Sequence, residues 1–72
     1  MSSDMEIFLT KRLQELRKER GLTQKQVAEA LGIHSVTYLH YEKGHHEPPL
    51  SILADMAKFY GETVDYLLGL EE

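Results

Sequence analysis

The chain has no cysteine, no tryptophan, only two prolines, and fewer basic than acidic side chains, eight against twelve in 72 residues. Without cysteine there is no disulfide framework, no thiolate zinc site and no thiol nucleophile. A domain this small must therefore rely on regular packing of its apolar residues. Long hydrophobic runs are also missing: the longest stretches of apolar residues are three long, at Ile7 to Leu9, Ile52 to Ala54 and Tyr66 to Leu68. A bilayer-spanning helix needs about 20, so no membrane partner is expected. The N-terminus opens Met1-Ser2-Ser3-Asp4, with an acid where a secretory leader carries basic residues. The cytoplasm is the expected compartment. Enzyme chemistry finds no foothold either, since there is no Ser/His/Asp set, no phosphate-cradling glycine loop, no carboxylate pair suited to a pocket, and little volume for a pocket.

What is present is a strong helical period. Ile7, Leu9, Leu13 and Leu16 recur at helix spacing among polar residues and predict a helix over about 6–20, closed by Gly21. Thr23 with Gln26 three positions later forms a capping box, so a second helix is expected, with Val27, Ala28 and Leu31 inward and Gly32 as its stop. A third short helix fits about 35–43, ended by Gly44. The segment His45-His46-Glu47-Pro48-Pro49 is a loop, because paired prolines hold their neighbours extended. Leu50, Leu53, Met56, Ala57 and Tyr60 carry a fourth stripe up to Gly61. Thr63 then caps a last helix through Leu68, with Val64, Leu67 and Leu68 inward. The fold class is all-α: a single five-helix domain over residues 6–70, with short tails at 1–5 and 71–72.

Charge is graded along the chain. Residues 1–20 hold five Lys/Arg against four acids, whereas 44–72 hold one against six. Any nucleic-acid-binding face must therefore lie toward the N-terminal part of the domain, against an overall charge of −4.

Two short helices joined by a glycine turn, at about residues 23–43, describe a helix-turn-helix. The residues that carry a closer likeness are Leu13, Leu16 and Arg17; Gly21-Leu22-Thr23-Gln24; Val27-Ala28 and Leu31-Gly32-Ile33; Tyr41-Glu42 and Gly44; Glu47-Pro48; Leu50, Leu53 and Ala57; and Asp65, Leu67 and Leu68. In this order and spacing they resemble the lambda-repressor-like, Cro/XRE-type helix-turn-helix family over about residues 7–70. The resemblance implies a compact five-helix DNA-binding domain, a dimeric transcriptional regulator, and double-stranded DNA as partner.

Carried over position by position, the resemblance implies that Gln24 touches a phosphate and supports the base readers. It places His34, Ser35, Val36 and His40 toward base edges, with Thr37 near the backbone. Arg17 and Glu42 fall where the family pairs a guanidinium with a carboxylate, a geometry that suits the Arg fork. Lys25 and Lys43, with Lys11 and Arg12, would supply the phosphate-facing charge, and His45 and His46 occupy the loop that is often basic in relatives. None of the implied readers is an Arg, Asn or Gln able to make a bidentate base contact, so modest or shape-dependent specificity is expected. Neutral histidines add little counterion release, so affinity is expected to rise on acidification.

Other residues sit outside these roles. His34 and His40 are six apart and do not share a helix face well, and His45-His46 is an adjacent pair, so no metal site and no cofactor are expected. Ile52, Phe59, Tyr66 and Leu70 lie off the inward stripes and are read as a homodimer interface, although they could equally enlarge a small core. Leu39 projects from the third helix at a place that is usually polar, and Tyr38 stands where the family has an aliphatic core residue. With the chain ending soon after Leu70, a stand-alone repressor-type regulator on a palindromic operator is the expected function. The alternative is a helix-turn-helix-shaped protein-interaction module or antitoxin-like partner with little DNA specificity.

Overall fold

Sixteen residues in the first helix, α1 (Asp4–Glu19), set the scaffold on which four shorter helices close. They are α2 (Gln24–Leu31), α3 (Ser35–Lys43), α4 (Leu50–Tyr60) and α5 (Val64–Leu67). The computed structural model describes residues 4–71, and among these there is no strand. No helix among them is long and apolar enough to cross a membrane. The expected tail at 1–5 is corrected at its end: Asp4 and Met5 are already helical, and Asp4 and Glu6 place two carboxylates in the first turn, where the helix dipole favours them. The rest of that tail, residues 1–3, and Glu72 of the tail at 71–72 lie outside the described residues. Glu71 is exposed and accepts a hydrogen bond from the Thr63 hydroxyl.

Local signals set the boundaries. The capping box at the start of α2 is complete, with the Thr23 hydroxyl accepting from the Gln26 N–H at 3.0 Å and the Gln26 side chain accepting from the Thr23 N–H at 2.8 Å. Gly32 ends α2 at φ 71°, a left-handed conformation that costs glycine little and lets the chain turn at once into α3. The cap of α3 is His34, whose Nδ1 accepts the Val36 N–H at 3.2 Å.

Helix α3 packs on both α2 and α1, α4 packs on α2 and α5, and α5 closes against α1. The shared core consists of Leu9, Leu13 and Leu16 from α1, Val27 and Ala28 from α2, Tyr38 and Tyr41 from α3, Leu53, Met56, Ala57 and Tyr60 from α4, and Leu67 from α5. Leu31, Val64 and Leu68 are partly buried around it. Two residues expected in the stripes are not in the core. Ile7 is 55% exposed because it sits two residues, about 200° of helix rotation, from Leu9. Leu50 is 83% exposed at the first position of α4, although it is in register with Leu53.

Candidate nucleic-acid interface

The centre of the α1–α2–α3 junction is a carboxylate. Glu42, in the last turn of α3, is 1% exposed and is the one buried charged residue among those described. Its oxygens accept from Arg17 Nε at 2.7 Å and Arg17 Nη2 at 3.2 Å, and from Gln24 Nε2 at 3.2 Å. Arg17 also donates from Nη1 to the Leu22 carbonyl at 3.0 Å, and Gln14 donates to the Glu42 main-chain carbonyl at 2.8 Å. The hydrogen bond to Glu42 holds the Arg17 guanidinium above its ordinary pKa, against the opposing effect of its own burial. A buried ion pair contributes mainly geometry when every polar group in it is satisfied. Here it fixes the start of α2 against the end of α3 and against α1.

Gln14 is the member of this network that the sequence did not reveal. Its position three residues before Arg17, on the same side of α1, is the signal that could have found it.

From this anchor the outer edge of α3 is fixed. Tyr38, Tyr41 and Glu42 face inward, which leaves Val36, His40 and Lys43 spaced four and three apart on the opposite side. Val36 is 49% exposed; Ser35, Thr37, Leu39 and His40 are half-buried; His34, Lys43 and Lys25 are exposed. The structure gives His34 a structural task as the α3 cap, so its Nδ1 is engaged by the backbone. His40 gathers with the loop histidines, its ring centroid 5.5 Å from His45 and 4.9 Å from His46. Among the described residues no group of three or more His, Cys, Asp or Glu side chains converges as a metal site.

Gln24 uses one amide hydrogen on Glu42, and its amide carries another donor and an acceptor. Arg12 does not join Lys11, Lys25 and Lys43 as a phosphate-facing charge. Its guanidinium lies 4.0 Å over the Tyr66 ring and 5.7 Å from Phe8, between α1 and α5, and its Nε is buried without a hydrogen-bond partner.

Behind α3 the Tyr38 hydroxyl, in the core, lies 3.0 Å from the Tyr60 hydroxyl at the end of α4. Burial is the main cause that raises the pKa of both phenols, so both stay neutral. Arg20 reaches the same corner, donating to the Tyr60 carbonyl at 2.6 Å with its guanidinium 5.2 Å over the Tyr60 ring. Of the residues read as a dimer interface, Ile52 and Tyr66 are half-buried against the core, while Phe59 is 36% and Leu70 60% exposed.

Comparison with known proteins places this geometry. The helix-turn-helix family profile matches residues 13–67. The regulator YobD of Bacillus subtilis (strain 168), an HTH-type transcriptional regulator, is 44% identical over 61 residues, which is 85% of this chain and 54% of that protein. The cryptic phage CTXphi transcriptional repressor RstR of Vibrio cholerae is 40% identical over 65 residues, 90% of this chain and 59% of its own length. ImmR of Bacillus subtilis (strain 168), an HTH-type transcriptional regulator, is 39% identical over 64 residues, 89% of this chain and 50% of that one. Among solved structures, that of a transcriptional regulator from Listeria innocua superposes with a TM-score of 0.81 at 30% identity, covering 89% of this chain and 60% of the other. The chain thus spans about half the length of the curated relatives it matches.

Proposed function

The chain belongs to the Cro/C1-type helix-turn-helix family, a family of transcriptional regulators and not of enzymes, and from that premise we propose that it is a DNA-binding regulator of the repressor type. It lays α3 along the major groove of double-stranded DNA, recognises a palindromic operator as a homodimer, and acts in the cytoplasm without a cofactor. The observation that carries this reading is the Arg17–Glu42–Gln24 network, which locks α2 and α3 at a fixed angle and leaves the outer edge of α3 exposed.

In this arrangement Gln24 and Arg17, whose remaining N–H groups are not spent on Glu42, bind phosphate oxygens together with Lys25 and Lys43, and Thr37 stands close to the backbone. Ser35, Val36 and His40 meet base edges: a hydroxyl that donates or accepts, an apolar contact for a thymine methyl, and an imidazole for guanine. His34 serves chiefly to orient α3, and His45 extends the contact surface from the loop. Dimerisation uses Phe59 and Leu70, with Ile52 and Tyr66 supporting them from the core margin.

A second reading, a protein-interaction module or antitoxin-like partner of helix-turn-helix shape, is favoured by the 49% exposed Val36 on the edge that would face DNA, in a chain of net charge −4. Amide NMR of the labelled protein on adding a duplex separates the two. Shift changes confined to the start of α2, the outer edge of α3 and the loop at 44–47 support DNA binding; the absence of any salt-sensitive change rejects it.

A further inference from the structure

The hydrogen bonds that α1 and α2 make to α3 converge on one residue in its last turn: Arg17 and Gln24 reach the Glu42 carboxylate, and Gln14 its main-chain carbonyl. Ser35 and Val36 stand at the other end of the helix, about 10 Å away along its axis. A tilt of about 10° about Glu42 would move them by roughly 2 Å, far more than a hydrogen bond tolerates. Apolar burial is non-directional and restrains such a tilt less sharply than a hydrogen bond does. A further hydrogen bond ties α3 to α4. The hydroxyl of Tyr38, in the middle of α3 and fully buried, lies 3.0 Å from that of Tyr60. Tyr60 is itself held in place: Arg20 donates to its carbonyl at 2.6 Å and lies over its ring, and the Phe59 ring meets it edge-on with centroids 5.0 Å apart. Stability alone does not call for this pair. Two phenylalanines would fill the same volume, and replacing both partners of a buried hydrogen bond by apolar groups of like shape is nearly neutral. What the hydroxyls add is direction.

We infer that Tyr60, although it lies outside the helix-turn-helix, is a positioning residue for the reading helix: its hydroxyl takes that of Tyr38 and fixes the tilt of α3, and with it the reach of Ser35 and Val36 to base edges. The inference rests on the reading of α3 as the helix that meets DNA. Glu42 and Tyr38 are four residues apart on the inward side of α3, about 6 Å along the axis. Glu42 attaches the helix to α1 and α2, and Tyr38 attaches it to α4. Two attachments a turn apart define an axis, where the Glu42 attachment alone would define a pivot. The phosphate contacts proposed for Arg17, Gln24 and Lys25 start from α1 and α2, so they survive a change in the tilt of α3. Base contacts from its N-terminal half do not. Tyr60 therefore acts on discrimination between sequences more than on affinity for duplex as such.

The test is Tyr60→Phe, which keeps the ring, its contact with Arg20 and the main-chain carbonyl, and removes the hydroxyl alone. Binding is measured by fluorescence anisotropy well below Tm, with circular dichroism confirming the fold. Two probes are used: the duplex that the parent protein enriches from a randomised pool, and a duplex of the same bases in scrambled order. The ratio of the two affinities should fall by about fivefold, the low end of the loss for one spoiled base pair, while the scrambled duplex is bound as by the parent. A residue that only stabilised the fold would lower Tm and leave that ratio unchanged. Without DNA, amide NMR should show shifts that run from Tyr60 and Tyr38 to Ser35, Val36 and Thr37, since the retained ring leaves its own magnetic effect in place. Joining Tyr38→Phe to Tyr60→Phe leaves no orphaned hydroxyl, so this variant stays folded and should show the same fall in ratio. The inference is overturned if the amides of Ser35, Val36 and Thr37 keep their parent positions in Tyr60→Phe, or if both variants discriminate the duplexes as the parent does. A parent that enriches no duplex rejects the functional reading instead, and the amide shifts alone then decide whether Tyr60 sets α3.

Discussion

The hydroxyl of Tyr38, on the helix proposed to read DNA, lies 3.0 Å from that of Tyr60, the last residue of α4, inside the core. The two phenols pair in the core, and Tyr38 also interacts with the Glu42 carboxylate. Tyr38→Phe removes one hydroxyl and leaves the Tyr60 oxygen buried and unpaired, which costs about 1–3 kcal/mol. For a domain of this size that lowers Tm by about 4–8 °C per kcal/mol. The double variant, Tyr38→Phe with Tyr60→Phe, should lose less than the sum of the two single changes, because it leaves no orphaned hydroxyl. A thermal-melt cycle over the four proteins checks this.

Arg17 cannot be used to separate DNA binding from folding. Arg17→Ala strands the Glu42 carboxylate, 1% exposed, with only neutral partners, Gln24 and Tyr38, left to it. Breaking a buried pair in this way costs about 3–5 kcal/mol, most of what a domain this small possesses. The variant should be largely unfolded near room temperature by circular dichroism, whatever the chain binds.

Gln24→Ala is the informative change. It removes one neutral donor from Glu42 while both Arg17 bonds remain, so the stability loss should be near 1 kcal/mol. On the DNA-binding reading its affinity for duplex falls clearly more than that loss explains, and fluorescence anisotropy at fixed salt measures the difference.

Much of this arrangement was legible in the sequence because it is local. Thr23 and Gln26 announce the start of α2, the glycines its end, and the Leu9–Leu13–Leu16 stripe the buried side of α1. The Arg17–Glu42 pair came from resemblance, since nothing in a span of 25 residues says that two charges meet. What was hidden is tertiary. Tyr60 was read as core, yet its hydroxyl partner lies 22 residues away. Arg12 looked like another phosphate-facing cation until the fold laid it over Tyr66. Ile52 and Tyr66 looked surplus because a stripe drawn one helix at a time cannot show the half-buried margin where two helices converge.

Acidification should strengthen DNA binding. His40, His45 and His46 cluster where α3 meets the loop, beside Lys43, and imidazole is the side chain that ordinarily gains charge between pH 8 and pH 5. A bound state that prefers protonated rings takes up protons, so affinity rises as pH falls. One feature tempers the gain: Glu6 and Glu47 line a small cleft with His46 and offset charge there. Affinity measured at pH 6 should exceed that at pH 8, and joining His40→Gln to His45→Gln should flatten the difference. Equal affinities in the parent protein would refute the effect.

Gly69 is held at φ 75°, and a Cβ there would overlap the Phe8 ring. Gly69→Ala should therefore shift the end of α5 away from α1 and lower Tm by several degrees, consistent with a loss of about 1 kcal/mol or more. A thermal melt of the parent and the variant checks this.

The central claim is that the fixed outer edge of α3 reads a DNA sequence. The most direct measurement is selection of randomised duplex DNA by the purified protein at low and at moderate salt, with the retained pool sequenced over successive rounds. The account predicts enrichment of a palindrome whose half-sites are about 10 bp apart, with altered preference at particular base pairs when Ser35, Val36 and His40 are replaced together by alanine. Retention that disappears with salt and enriches no sequence would contradict it, leaving phosphate contact alone.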